Sequence, residues 1–395
     1  VSRRTRVAGV GMAPFATPRK ARTYLAMAEE AIRDALRDAG IGYEAVQQAY
    51  AGYVYGDSTS GQNVVYQVGM TGIPVVNVSN NCATGSSALW LARQAVEHGA
   101  ADCVLVVGFE QMRPGAITAQ WEDRPSPFDR FDAAADAALG PDGSTPMAPR
   151  YFGAAGQAYA ERHGTAPGTF ARIAVKARAH AAGNPYAVFR DPVTLEEVLA
   201  SPRVYGPLTR LQCCPPTCGA AAAVLCSDEF ARTHGLDARV GVAAQAMVTD
   251  RPGSFAEHDM IKLVGYDMSA EAAAQVYEAA GVDPGDIRVA ELHDCFTTNE
   301  LLSYEALGLT PEGTAEKFVL DGGNTYGGRV VTNPSGGLLS KGHPLGATGL
   351  AQCAELVWQL RGQAGPRRVE GASVALQHNI GLGGAAVVTL YERMS

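Results

Sequence analysis

Nowhere does this 395-residue sequence run through the roughly 18 consecutive apolar residues that a membrane-spanning helix needs, so no span is expected. Basic clusters are missing as well. Lys and Arg number 32 against 40 Asp and Glu, a net charge of −8, whereas a nucleic-acid surface requires the opposite balance. Aromatic residues make up only 7% of a chain that is 47% apolar, a globular composition rather than a disordered or fibrous one. There are eight cysteines, but Cys213, Cys214, Cys218 and Cys226 lack the second pair of a zinc site and read as packing residues, so no metal is expected. With no secretory leader evident, reduced thiols and a cytoplasmic location are expected, and a disulfide framework is not.

Aliphatic residues, alanine and 45 glycines dominate, which suits helices packed closely on a parallel sheet with many tight turns. The length exceeds what one hydrophobic core serves, so two similar units or one unit with a large insertion are expected. The order of signals is strand, helix, strand. Residues Thr5 to Gly11 alternate, Thr23 caps an apolar-striped helix that Gly40 ends, and a strand follows near Ala49 to Val54. The same unit recurs when Glu30–Val46 is laid over Glu271–Ile287, with Gly40 on Gly281. A looser echo pairs the Cys82 turn and its helix with the His343 turn and its helix. Between a strand at Asp102 to Gly108 and another at Gly219 to Cys226 the regular alternation stops, and the sequence reads as an inserted lid with short helices such as Phe170 to Ala182. The expected division is 1–111 and 219–245 for the first half, 112–218 for the insertion and 246–395 for the second half.

The stretch Val75 to Gly99 carries the chemistry: a short β-branched strand, a polar turn holding Cys82, and a helix. Free amide hydrogens and the positive end of that helix would favour a Cys82 thiolate, the nucleophilic form. Acyl chemistry also needs a base near the sulfur, donors for a developing oxyanion and a second acid/base group. His343 is the first candidate for the base. Cys295, preceded by His293 and Asp294, is a second thiol at a strand end, and His378 precedes a glycine-rich GLGG turn.

The motifs NNCATGSSAL, ELHDCFTTNELL, NPSGGLLSKGHPLGATGLAQCAEL and ALQHNIGLGGAAVVTLY together resemble the thiolase domain of the sterol carrier protein X type. That resemblance implies a five-layered αβαβα fold from two duplicated halves with an inserted loop domain, and a homodimer. It implies acyl transfer through Cys82, activated by His343, with Cys295 as acid/base and His293 in place of an asparagine that orients a water in the oxyanion hole His343 shares, while His378 could orient a carbonyl. The substrate would be a 3-oxoacyl-CoA and coenzyme A a co-substrate, with no permanently bound cofactor. Amides near Cys82 and Ile380 would hold the enolate oxygen. Arg172, Lys176 and Arg210 are candidates for the phosphates of coenzyme A. Thr217 and Cys218 stand where relatives carry Ser-Asp, which would alter a wall of the site, and no lipid-carrying domain follows the last strand. Rival readings are a decarboxylating condensing enzyme, a steroid side-chain aldolase working with a small accessory protein, and a non-catalytic lipid-binding scaffold.

Overall fold

The computed structural model describes residues 3–115 and 120–394. The first half runs β1 (Thr5–Met12), α1 (Tyr24–Ala39), β2 (Gln48–Gly52), β3 (Val75–Val78), α2 (Thr84–Glu97) and β4 (Cys103–Glu110). An insertion follows, with α3 (Met147–His163), α4 (Pro167–Ala181) and a short hairpin of β5 (Arg203–Tyr205) and β6 (Leu208–Thr209), before β7 (Gly219–Ser227) closes the half. The second half runs β8 (Val240–Val248), α5 (Tyr266–Ala280), β9 (Val289–Glu291), α6 (Thr297–Ala306), β10 (Val331–Thr332), α7 (Thr348–Arg361), β11 (Val374–Gly381) and β12 (Ala385–Arg393).

Among the described residues the strands order as β10-β9-β11-β12-β8-β1-β7-β4-β2-β3. This line is the same five-strand pattern used twice. β2 pairs in parallel with β3 and β4, as β9 does with β10 and β11, and the remaining two strands of each half are antiparallel. The halves join edge to edge through β1 and β8, at Arg6–Gly241 and Val7–Val240. The repeat expected from sequence is the helix pair α1 and α5. Thr23 Oγ1 accepts the Ala26 amide at the start of α1, and Gly40 and Gly281 end the two helices at φ 72° and 64°, conformations that glycine adopts without strain. The looser echo is α2 and α7, each following the third strand of its half.

Among the described residues, three large apolar cores fill the spaces between these layers. One lies between α1 and the first-half strands, with Ile32, Ala35, Leu105 and Val107. A second surrounds α2 and α7, with Leu89, Ala92, Leu350 and Leu356 packed between both half-sheets. The third joins α5 to the second half-sheet and takes in Tyr151, Phe152, Tyr159 and Phe170 of the insertion. The outer helices, two half-sheets and central helix pair make five layers, and the insertion is built onto the second half rather than hanging free.

Candidate active site

The N-terminal turns of α2 and α7 meet in the central layer through glycine. A Cβ on Gly346 would lie 2.4 Å from Phe109 O and 2.6 Å from Gly52 O, and one on Gly349 would lie 2.3 Å from the Ser86 amide nitrogen. No larger residue permits this approach. It sets the Cys82 turn of the first half against the His343 turn of the second. Asn81 Nδ2 then ties the Cys82 turn to Leu382 O at 2.8 Å, beyond the end of β11.

These turns open into one cavity of about 450 Å³, lined by Cys82, Cys214, His293, Cys295 and His343. Apart from Asn81, its remaining wall is largely apolar. Met112, Met147 and Phe152 come from the insertion and Phe296, Leu345, Ile380 and Leu382 from the second half, with Phe152 stacked on Phe296 at 5.1 Å. Cys82 Sγ and one ring nitrogen each of His293 and His343 lie within 4.8 Å of one another. His293 and Cys295 face the cavity. Asp294, between them, turns away to accept the amide hydrogen of Leu338 at 2.7 Å.

Hydrogen bonds fix where the protons sit. Thr348 Oγ1 lies 2.9 Å from Pro344 O, to which it donates, and 2.7 Å from His343 Nδ1, from which it then accepts. His343 therefore carries its proton on Nδ1, and its buried Nε2, without a hydrogen-bond partner, presents a lone pair. His293 is the reverse. Asn379 Nδ2 donates to His293 Nδ1 at 2.8 Å, which leaves the proton on Nε2. Burial pushes both imidazoles toward the neutral form, His343 down to about 3 with the Lys341 charge adding to the effect.

Cys82 departs from the sequence expectation. Its own amide and that of Leu382 favour the anion, but burial, followed by the nearby Glu110 charge, raises the thiol to about 12. It rests as a thiol. Cys295 is also raised, by burial and then by Cys214 and Cys82. Glu110 is buried, accepts the amides of Val54, Tyr55 and Gly346, and is pushed up to about 7 by desolvation.

Residues 6–229 match the family described as "Thiolase, N-terminal domain" and residues 254–393 match "Thiolase C-terminal domain-like". The chain belongs to the thiolase family. It is 55% identical to human "Sterol carrier protein 2" over 99% of this chain and 72% of that protein. It is 43% identical to the Caenorhabditis elegans "Non-specific lipid-transfer protein-like 2" over 98% of this chain and 95% of that one. Among solved structures, "Ltp2-ChsH2(DUF35) aldolase" superposes with a TM-score of 0.83 at 26% identity, covering 99% of this chain and 98% of that one.

Several expectations for this thiolase need correction. His378 does not line the cavity. Residues alternate across β11, so Gln377 and Asn379 face the central helices while His378 faces α5, its Nε2 2.8 Å from Ser269 Oγ. Lys176 is not free for phosphate, because it is buried in an ion pair with Glu300 and bonded to Thr332. Arg172 and Arg210 are exposed and outside the cavity lining, which does not contradict contact with coenzyme A phosphates. Thr217 and Cys218 also lie off the wall, which is formed by the neighbouring Pro215 and Pro216. The amide expected near Ile380 is that of Leu382, beside the Cys82 sulfur. Cys82, His293 and His343 have the spacing of a metal site, but Asn379 Nδ2 donates to His293 Nδ1, so a metal displacing the Nε2 proton would leave the ring without the Nδ1 hydrogen that a neutral imidazole ligand keeps. The residues do not fit a metal. Sequence reading missed Asn379, Thr348 and Cys214. A trace of the first was visible as three polar residues, Gln377 to Asn379, inside an apolar strand.

Proposed function

We propose that this thiolase cleaves 3-oxoacyl-CoA with coenzyme A, or runs the reverse Claisen condensation, through an acyl group on Cys82. The observation that carries this reading is the grouping of Cys82, His293 and His343 within 4.8 Å in one buried cavity that Cys295 also lines. His343 Nε2 takes the Cys82 proton as sulfur attacks the 3-keto carbon, with the Cys82 and Leu382 amides as donors to the alkoxide. The C2–C3 bond breaks, His293 Nε2–H donates to the enolate oxygen, and Cys295 protonates C2 to release acetyl-CoA or propionyl-CoA. Coenzyme A then gives its thiol proton to the Cys295 thiolate and attacks the acyl group. Cys82 leaves and recovers its proton from His343, so both thiols and both histidines return to their starting states.

A raised thiol pKa fits this sequence. Neutral Cys82 beside neutral His343 avoids a buried charge until substrate supplies an oxyanion to balance it. The apolar wall supports an uncharged acyl chain. The exposed edge strand β3, with Val76 43% exposed and Met70 at 77%, supports a homodimer in which a second copy extends the sheet. A second reading is favoured by the likeness to the Ltp2 aldolase, namely retro-aldol cleavage of a 3-hydroxyacyl-CoA with a small accessory partner. The two differ at Cys82. Mass spectrometry after incubation with a panel of 3-oxoacyl-CoAs is expected to find an acyl group on the Cys82 peptide, discharged by coenzyme A and missing in Cys82→Ala. Cleavage of 3-hydroxyacyl-CoA with an unmodified Cys82 would select the aldolase.

A further inference from the structure

We infer that Asn379 is a positioning residue that holds the His293 proton on Nε2, at the end of a one-way hydrogen-bond relay starting from the backbone carbonyl of Gly349. The inference rests on the thiolase reading for its catalytic consequence, but the relay is a property of the resting protein. Gly349 O can only accept, and Gln377 Nε2 lies 2.7 Å from it, so the Gln377 side-chain nitrogen must face that way. The same nitrogen donates to Ser86 Oγ at 3.0 Å, while Gln377 Oε1 accepts from Tyr391 OH at 2.5 Å. Ser86 Oγ, bonded to Gln377, has Asn379 Oδ1 at 2.9 Å as the acceptor for its own hydrogen. That fixes the Asn379 amide, whose Nδ2 donates to His293 Nδ1. In this orientation the Ser86 hydrogen and both Asn379 polar atoms meet a partner.

The relay crosses the molecule. Ser86 belongs to α2, Gln377 and Asn379 to β11, Tyr391 to β12 and Gly349 to α7, and all are buried. A residue serving only to fill space needs no such order. The proton at stake is the one pointed at the enolate oxygen, and loss of one such donor typically lowers kcat by about 10²–10³-fold. The titratable groups around His293 are Cys82 on the α2 turn, His343 on the α7 turn, Cys295 on its own loop and His378 on β11.

The test compares wild type with Asn379→Asp and Asn379→Ala. A carboxylate at 379 accepts rather than donates, so it draws the His293 proton to Nδ1 and strips the donor, unless a second proton is bound. Nitrogen-15 NMR of labelled histidines, with the His293 signals assigned by His293→Gln, is expected to show Nε2 protonated and Nδ1 accepting in resting wild type. In N379D the pattern reverses. Turnover in N379D is expected to recover as pH falls, through a doubly protonated His293, and to drop by about 10²-fold as pH rises, with KM little changed. Wild type lacks that dependence, and N379A is uniformly slow. A wild-type His293 protonated on Nδ1 overturns the relay whatever the variants do, as does an N379D enzyme whose tautomer and pH profile match wild type. Failure of wild type to acylate Cys82 would instead overturn the thiolase reading, leaving the NMR result intact.

Discussion

Two opposed influences act on the Cys82 thiol: the amide hydrogens of Cys82 and Leu382 favour its anion, while the closed cavity and the Glu110 charge favour the neutral form, and a pKa near 12 shows the second pair winning. The sulfur therefore needs a base at the moment of attack. His343 can serve at any ordinary pH, because a group held down to about 3 stays deprotonated. Wild-type acylation of Cys82 is expected to show no His343-dependent loss between pH 8 and about 5, since protonation of the base would set in only below that range. Thr348 orients this base. Thr348→Val leaves the His343 Nδ1 hydrogen without its acceptor and should slow acylation by about 10²-fold, with Thr348→Ser restoring most of it, as single-turnover acylation rates would show. A value for Thr348→Val equal to wild type would mean His343 holds its tautomer without help. The four cavity residues Cys82, His293, Cys295 and His343 were legible in the sequence because each stands in a short motif beside tight turns. The side chains that set their protons were not. Asn379 and Thr348 act through contacts that no local pattern encodes.

Elements explain the misplaced candidates. A strand's facing is decided by its frame, and a shift of one residue exchanges the two faces, so His378 and Asn379 could not be told apart from sequence alone. Lys176 shares the buried face of α4 with Ile173, Ala177 and His180, a helical spacing that places it inward with Glu300. Helices α1 and α5 were legible as a repeat because their caps and stripes are local, whereas the strand order depends on long-range pairing. The meeting of α2 and α7 is the element-level device on which the site depends. Gly349→Ala would push a methyl group to 2.3 Å from the Ser86 amide nitrogen of α2, and is expected to cost at least about 1–3 kcal/mol in urea unfolding. Wild-type stability in that variant would show that the two turns have room to spare.

At the scale of the molecule, duplication supplies two nearly equivalent turns and the insertion supplies the cover. On the proposed mechanism the first half would contribute the nucleophile, and the second the base, the oxyanion donor and the second thiol, so that neither half would be an enzyme alone. The outer edge of the first half-sheet is β3, and Val76→Asp should convert the proposed dimer to a monomer in sedimentation analysis, whereas an unchanged mass would place the interface elsewhere. The central claim is that cleavage leaves the acyl group on the enzyme before coenzyme A arrives. Rapid-quench measurement of acetyl-CoA or propionyl-CoA formed from a turned-over 3-oxoacyl-CoA, with no coenzyme A added, tests it most directly. The account predicts a burst of about one equivalent per chain that stops until coenzyme A is supplied. Cleavage that shows no burst and proceeds only when coenzyme A is already present, with no acyl-enzyme formed, would contradict it.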